Sequence, residues 1–233
     1  MSAGEHITRR ILPHWYVPGA VHFVTYRLAG TLPAEVMHRL RDEKESRARR
    51  PLPHGLSLAE FRERLHKRFF AAYDDYLDQT CTVDWLTHPP VAAMLRQNLY
   101  HHSRRKYHLI AYCIMPNHVH VLIQPTVAGE IGTTTGDETP DAQGPLAAIM
   151  HSLKSYTANE ANRLLGRSGQ FWQHESYDHW VRNEDELERI VDYIAANPVK
   201  AKLVRQPHEW LFCSAHDRFL HDGSISAWLP TES

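Results

Sequence analysis

The sequence predicts an α+β fold in which helices pack on an antiparallel sheet. Three observations predict it. Stretches of period two and stretches of helical period occur in the order strand, helices, two strands, helix, short strand, helix over 233 residues. The two consecutive strands are separated by too few residues for a crossover, so they pair as an antiparallel hairpin. A content of 42% hydrophobic and 10% aromatic residues supplies a core for such a sandwich.

The elements follow in order. "VHFVTYRL" (21–28) is rich in β-branched and aromatic residues and makes the first strand. A charged segment, "HRLRDEKESRARR" (38–50), reads as a solvated helix that could also meet a polyanion. In "SLAEFRERLHKRFFAAYDDYL" (57–77), Ser57 and Glu60 form a capping box ahead of Leu58, Phe61, Leu65, Phe69, Ala72, Tyr73 and Tyr76 at helical spacing. A further helix over 90–101 buries Val91, Met94, Leu95 and Leu99. "YHLIAYCI" (107–114) and "HVHVLI" (118–123) flank Met115-Pro116-Asn117 as a hairpin. The Gly/Thr-rich stretch at about 126–144 lacks aromatics and periodicity and is predicted to be a mobile loop. An amphipathic helix over 145–166 ends at Gly166, and "YDHWVR" (177–182) is a short strand. The last helix, 183–198, opens with Asn183 and Glu186 in capping positions, carries acids in its first turn and is expected to stop at Pro198. This succession predicts a ferredoxin-like core. It also predicts a single domain over 1–233, with a charged helical insertion at about 34–77.

Bulk properties narrow the function classes. The sequence has no apolar run near the ~18 residues of a membrane span and no secretory h-region at its start, so a cytoplasmic location is expected. Cys81, Cys113 and Cys213 form no C-x-x-C pair, which argues against a zinc ribbon or a disulfide framework. The formal charge is -1, yet residues 1–70 hold 13 Lys/Arg against 7 Asp/Glu. That imbalance permits a nucleic-acid partner without requiring one.

The chemistry begins on the second hairpin strand. Residues i and i+2 of a strand point the same way, so His118 and His120 stand side by side while Val119, Val121 and Ile123 turn to a core. Two such imidazoles are half of a metal site. On the last helix Tyr193 and Asn197 are four residues apart, hence about 40° apart around the axis and about 6 Å along it. They edge the apolar stripe of Leu187, Ile190, Val191 and Ile194, so a helix packed on the sheet aims a phenol and an amide at its surface. A divalent cation held by two imidazoles and an amide oxygen keeps positions open for phosphate oxygens. At an ordinary pKa near ~10, about one tyrosine in a thousand is ionised at neutral pH, so a nearby cation would assist its attack.

At these residues the sequence resembles the HUH-type single-tyrosine transposases, in particular the REP-associated tyrosine transposases. The matching stretches are "RKYHLIAYCIMPNHVHVLIQP", "SLKSYTANEANRLL", "GQFWQHESYDHWVRNEDEL", "YIAANPVKAKLV" and "HEWLFCSA", with "YRLAGTLP" and "WLTHPPVAAML" nearer the N-terminus. The resemblance runs from about residue 15 to about 215. It implies that His118 and His120 are the histidine pair of the motif, that Tyr193 is the nucleophile and that Asn197 is the third metal ligand. It implies nicking and joining of single-stranded DNA with Mg2+ or Mn2+, through a 5'-phosphotyrosine intermediate at hairpin-flanked repetitive palindromic sites. A monomer and a homodimer are both compatible with it.

Lys154 and Arg182 are candidates for phosphate contacts, and Trp172 or Phe171 for stacking on an unpaired base. Tyr156 is a rival nucleophile at a core edge, without an amide at i+4; Tyr112 and Tyr177 read as structural. The competing function is a domesticated hairpin-binding protein that no longer transposes. A histidine-triad nucleotide hydrolase would need a third histidine where Leu122 stands.

Overall fold

A computed structural model describes residues 6–9, 13–79, 82–103, 105–126 and 144–221. The predicted mobile loop lies almost wholly outside the described residues, as does Cys81. A small antiparallel pair, β1 (His6–Arg9) and β2 (Pro13–Tyr16), precedes the main body. The central sheet consists of β3 (His22–Arg27), β4 (Tyr107–Ile114), β5 (His118–Pro125) and β6 (Tyr177–Trp180) in the order β4-β5-β3-β6, every neighbour antiparallel. With helices between β3 and β4 and between β5 and β6, this is the ferredoxin-like arrangement that the element order predicts.

Strand alternation divides the sheet into two unlike faces. Val24 and Tyr26 of β3, and Leu28 just beyond its end, with Val119, Val121 and Ile123 of β5 form an all-apolar face under α3 (Pro89–His102) and α4 (Pro145–Leu164). Each of those aliphatic side chains contributes about 1.5–3 kcal/mol by leaving water. The opposite face carries Phe23, Thr25 and Arg27 of β3 and His118, His120 and Leu122 of β5. It lies under α1 (Ala34–Ala48), α2 (Leu58–Gln79) and α5 (Glu184–Lys200). A bulge between Leu109 and Ala111 keeps β4 in phase with both faces.

The capping chemistry works as read from the sequence. The Ser57 N–H donates to Glu60 Oε2 at 2.8 Å and the Glu60 N–H to Ser57 Oγ at 3.2 Å, which fixes the start of α2. At α5 the Glu186 N–H donates to Asn183 Oδ1 at 2.9 Å.

The end of α5 corrects an expectation. The helix does not stop at Pro198 but passes through it to Lys200. Proline removes one N–H and leaves the Ile194 carbonyl without its usual partner. The Cys213 thiol, buried beside β4, takes that place at 4.0 Å. One more helical turn keeps Asn197 in register with Tyr193 and brings Lys200 over α2. Among the described residues, no helix is long and apolar enough to cross a membrane.

Candidate active site

His118 and His120 are fully buried, with their rings side by side on the polar face. Their outer nitrogens are anchored. Asn117 Oδ1 lies 2.6 Å from His118 Nδ1, and Asn117 is itself held by an Nδ2 bond to the Leu77 carbonyl at 2.9 Å. An amide oxygen only accepts, so His118 carries its proton on Nδ1 and its Nε2 is bare. Thr25 Oγ1 lies 2.7 Å from His120 Nδ1. Both Nε2 atoms therefore turn inward, 3.0 Å apart.

Around them stand Asp74 from α2 and Asn197 from α5, each 1% exposed. Asp74 Oδ1 is 3.4 Å from His120 Nε2, and Asn197 Nδ2 is 3.2 Å from the same atom. With Nε2 bare, His120 accepts from Asn197 Nδ2 but faces the bare Nε2 of His118; with a proton there, it donates toward Asp74 Oδ1 or His118 Nε2 once the Asn197 amide turns over. Asp74 Oδ1 and Asn197 Oδ1 are buried without a hydrogen-bond partner. The same set suits a cation: two imidazole nitrogens and a carboxylate oxygen converge, and a half-turn of the Asn197 amide would add Oδ1. Asp74, His118 and His120 thus form a buried group that could hold a metal ion.

Tyr193, half-buried on α5, donates its hydroxyl proton to Asp74 Oδ2, and its ring meets that of His120 edge-on at 5.5 Å. Phe23 and Phe70 flank it. Burial, then the Asp74 charge, raise the phenol far above its ordinary range. Burial opposes ionisation of Asp74, but its contacts with His120, His118 and Tyr193 outweigh that and hold it below the usual carboxylate range. Burial and the neighbouring His120 lower His118 to about 3. Lys200 completes the cluster, with Nζ at 3.1 Å from Asp74, 2.9 Å from Asp75 and 3.1 Å from Asp78.

The structure thus brings four sequence-predicted residues together within one chain: His118, His120, Tyr193 and Asn197. The other three lie apart from them. Lys154 Nζ donates to the backbone carbonyls of Gln173 at 2.6 Å and His174 at 2.8 Å. Trp172 is in the core at 5% exposure, its indole N–H donating to Thr157 Oγ1 at 2.9 Å; Phe171 is buried beside it. Arg182 pairs with Glu63 and lies over the Trp180 ring. Tyr156 is 54% exposed rather than at a core edge.

Asp74 is the residue that sequence reasoning missed. A signal was present: on α2 the buried line Leu65, Phe69, Tyr73, Leu77 is joined by Asp74 alone among acids. An acid on an inward line is the exception that marks a site.

No protein-family model matches the chain. A curated REP-associated tyrosine transposase of Haemophilus influenzae is 27% identical over an alignment of 116 positions that covers 46% of this chain and 58% of that protein. The match therefore spans a little over half of that relative. A solved structure, described as a REP-associated tyrosine transposase bound to a REP hairpin, superposes with a TM-score of 0.51 at 16% identity, covering 94% of this chain and 91% of that one. The first bears out the resemblance read from the sequence, and the second bears out the fold.

Proposed function

We propose that this chain is a metal-dependent endonuclease and strand transferase for single-stranded DNA, acting in the cytoplasm at hairpin-flanked sites as a single domain. The observation that carries this reading is the convergence of two buried imidazole nitrogens and the unmet Oδ1 atoms of Asp74 and Asn197 beside a tyrosine hydroxyl.

His118 Nε2, His120 Nε2, Asn197 and Asp74 would hold a divalent cation, Mg2+ or Mn2+. When bound, it offsets charge developing on a phosphate and orients the bond to be broken. The chain's own residues do the rest. Tyr193 Oη attacks phosphorus as its proton passes to Asp74 Oδ2, its existing hydrogen-bond partner. The P–O3' bond breaks, leaving a phosphotyrosine ester on the 5' side and a 3' oxygen that takes up a proton. One ester bond replaces another, so the cut strand remains competent for rejoining. Lys200 holds the Asp74 carboxylate toward the phenol. All these groups lie within one chain, which supports a tyrosine that serves its own subunit.

The test uses a labelled single-stranded hairpin with flanking arms, incubated with Mg2+ or Mn2+ and resolved under denaturing conditions. Wild-type protein is expected to give a covalent adduct and Tyr193→Phe none. An adduct that persists in Tyr193→Phe overturns the assignment of the nucleophile. His118→Ala is expected to abolish cleavage while retaining hairpin binding. Hairpin binding by wild type without any adduct would leave the domesticated, non-transposing reading in its place.

A further inference from the structure

Beside the histidine pair, on the same face of the sheet, lies a cavity of about 240 Å³ lined by Arg27, Ala34, His38, Arg41, Tyr73 and Glu175 among others. Its position follows from register. Arg27 is paired directly with His118 across β3 and β5, and Tyr73 immediately precedes Asp74 on α2. The cavity therefore adjoins the cluster that would hold the cation.

Arg27 is the unusual group. Its residue is 4% exposed, yet its bonds go to neutral hydroxyls: Nη1 donates to Thr31 Oγ1 at 3.0 Å, and the Tyr73 phenol meets it as well. Among the described residues, no carboxylate pairs with it. A guanidinium held out of water without a counterion is costly, and an anion entering the cavity would relieve that cost. Gly30, at φ 82°, makes the turn that brings Thr31 back under Arg27 and starts α1 beside it.

The remaining lining has the same polarity. Arg41 reaches Glu175 at only 3.6 Å, longer than a hydrogen bond, and its side chain stays partly exposed with Nε buried and unmet. Lys154 is close behind Gln173; burial first, then the Arg27 charge, lower it to about 8, so it is mostly protonated at neutral pH. Two arginines thus share the lining with one carboxylate, and Lys154 adds its charge from behind Gln173. Pro33 offers no side-chain cap to the first N–H groups of α1, and Ala34 lines the cavity beside them. The volume falls below the ~300 Å³ at which small-molecule pockets begin, which suits one phosphate and part of its sugar.

We infer that this cavity is a second phosphate subsite, in which Arg27 and Arg41 hold one backbone phosphate of single-stranded DNA a short step along the strand from the bond to be cut. The inference rests on the strand-transferase reading, and it assigns to Arg27 and Arg41 the positioning of the strand over the histidines. The polar, net positive lining favours phosphate over a nucleobase, which would need an apolar ring face.

The test is equilibrium binding of a short fluorescein-labelled oligothymidylate to the full chain, in EDTA so that no divalent cation contributes, between roughly 50 and 200 mM salt. Arg41→Ala removes a half-exposed cation, and Ala34→Glu places a carboxylate at the mouth on an exposed position; neither disturbs the core. Each is expected to weaken binding about tenfold and to shallow the salt dependence by about one ion. Arg27→Gln should do the same, with thermal unfolding checking its fold. An abasic strand of equal length keeps every phosphate and is expected to show the same losses.

Wild-type affinity and salt slope in both Arg41→Ala and Ala34→Glu overturn the subsite. So does a loss seen with oligothymidylate but absent with the abasic strand, because the cavity then reads a base. The Tyr193 adduct is scored separately, so failure of the subsite and failure of the catalytic reading are told apart.

Discussion

Two buried aspartates, each bonded to tyrosine hydroxyl and to a basic side chain, occupy different parts of this molecule and are treated differently. Asp217, on α6 (Ser214–His221), receives Arg96 Nη2 on Oδ1 at 2.5 Å, and Tyr100 and Tyr112 on Oδ2 at 2.7 and 2.5 Å. Every acceptor meets a donor. Asp74 receives Tyr193 and Lys200 on Oδ2, while Oδ1 lies without a donor against an imidazole nitrogen. The residue types are nearly the same in both clusters, so composition does not separate them. The carboxylate oxygens do: both of Asp217 meet donors, although Arg96 Nε is left without a partner, whereas Oδ1 of Asp74 is left open beside two imidazoles.

The comparison breaks first at Asp217. Asp217→Ala leaves the buried Tyr112, the half-buried Tyr100 and Arg96 without this acceptor, and a loss of about 3–5 kcal/mol in urea unfolding is expected. A loss below about 1 kcal/mol would mean that this cluster does not hold the fold. Next in size is the response to a cation. At a free Mn2+ concentration one hundred times its Kd, wild-type protein should gain about 2.7 kcal/mol by linkage, and His118→Ala nothing. Equal gains in both proteins would move the cation elsewhere.

Asp74→Asn sharpens the contrast from the other side. The amide is nearly the same shape, keeps an oxygen for Tyr193 and removes a buried charge whose Oδ1 has no donor. In the cation-free protein the change loses the contacts that hold Asp74 ionised and should cost about 1–2 kcal/mol, less than at Asp217, while cation-induced stabilisation falls. A cost as large as that of Asp217→Ala would make Asp74 structural.

Much of the site was legible because its residues obey short-range periodicity. The i, i+2 rule puts His118 and His120 on one face, and the i, i+4 rule stacks Tyr193 and Asn197. What the sequence hid depends on contacts across distant segments. Asp74 sits in "YDDYLD", where acids at the end of a helix look solvated; only its docking over His120 makes it part of the site. Trp172 looked like a stacking platform because its partner, Thr157, lies on a different element. Pro198 looked like a helix stop because nothing local reveals that Cys213 faces the freed Ile194 carbonyl.

The last effect expected is one of pH, and it again belongs to the Asp74 side. His66 of α2 stacks on Tyr177 at 4.7 Å. Burial first, then the charges of Lys44 from α1 and of His179 and Arg182 at β6, lower it to about 3, although a backbone bond at Asp178 opposes them. Unfolded, the ring takes up a proton near ~6.5. Between those values the unfolded state binds more protons, so stability is full above about 6.5 and declines as pH falls toward 3. Glu186, held down to about 2 because its bonds to Lys67, His179 and the Arg182 N–H outweigh its burial, acts in the same sense only below its ordinary 4.5. His66→Phe keeps the stack and removes the titration, so its melting temperature should fall less than that of wild type between pH 6.5 and 4.5. His22, His118 and His179 are lowered as well and leave a residual slope. Identical slopes for the two proteins over that interval would show that the His66 ring is not held neutral between α2 and β6.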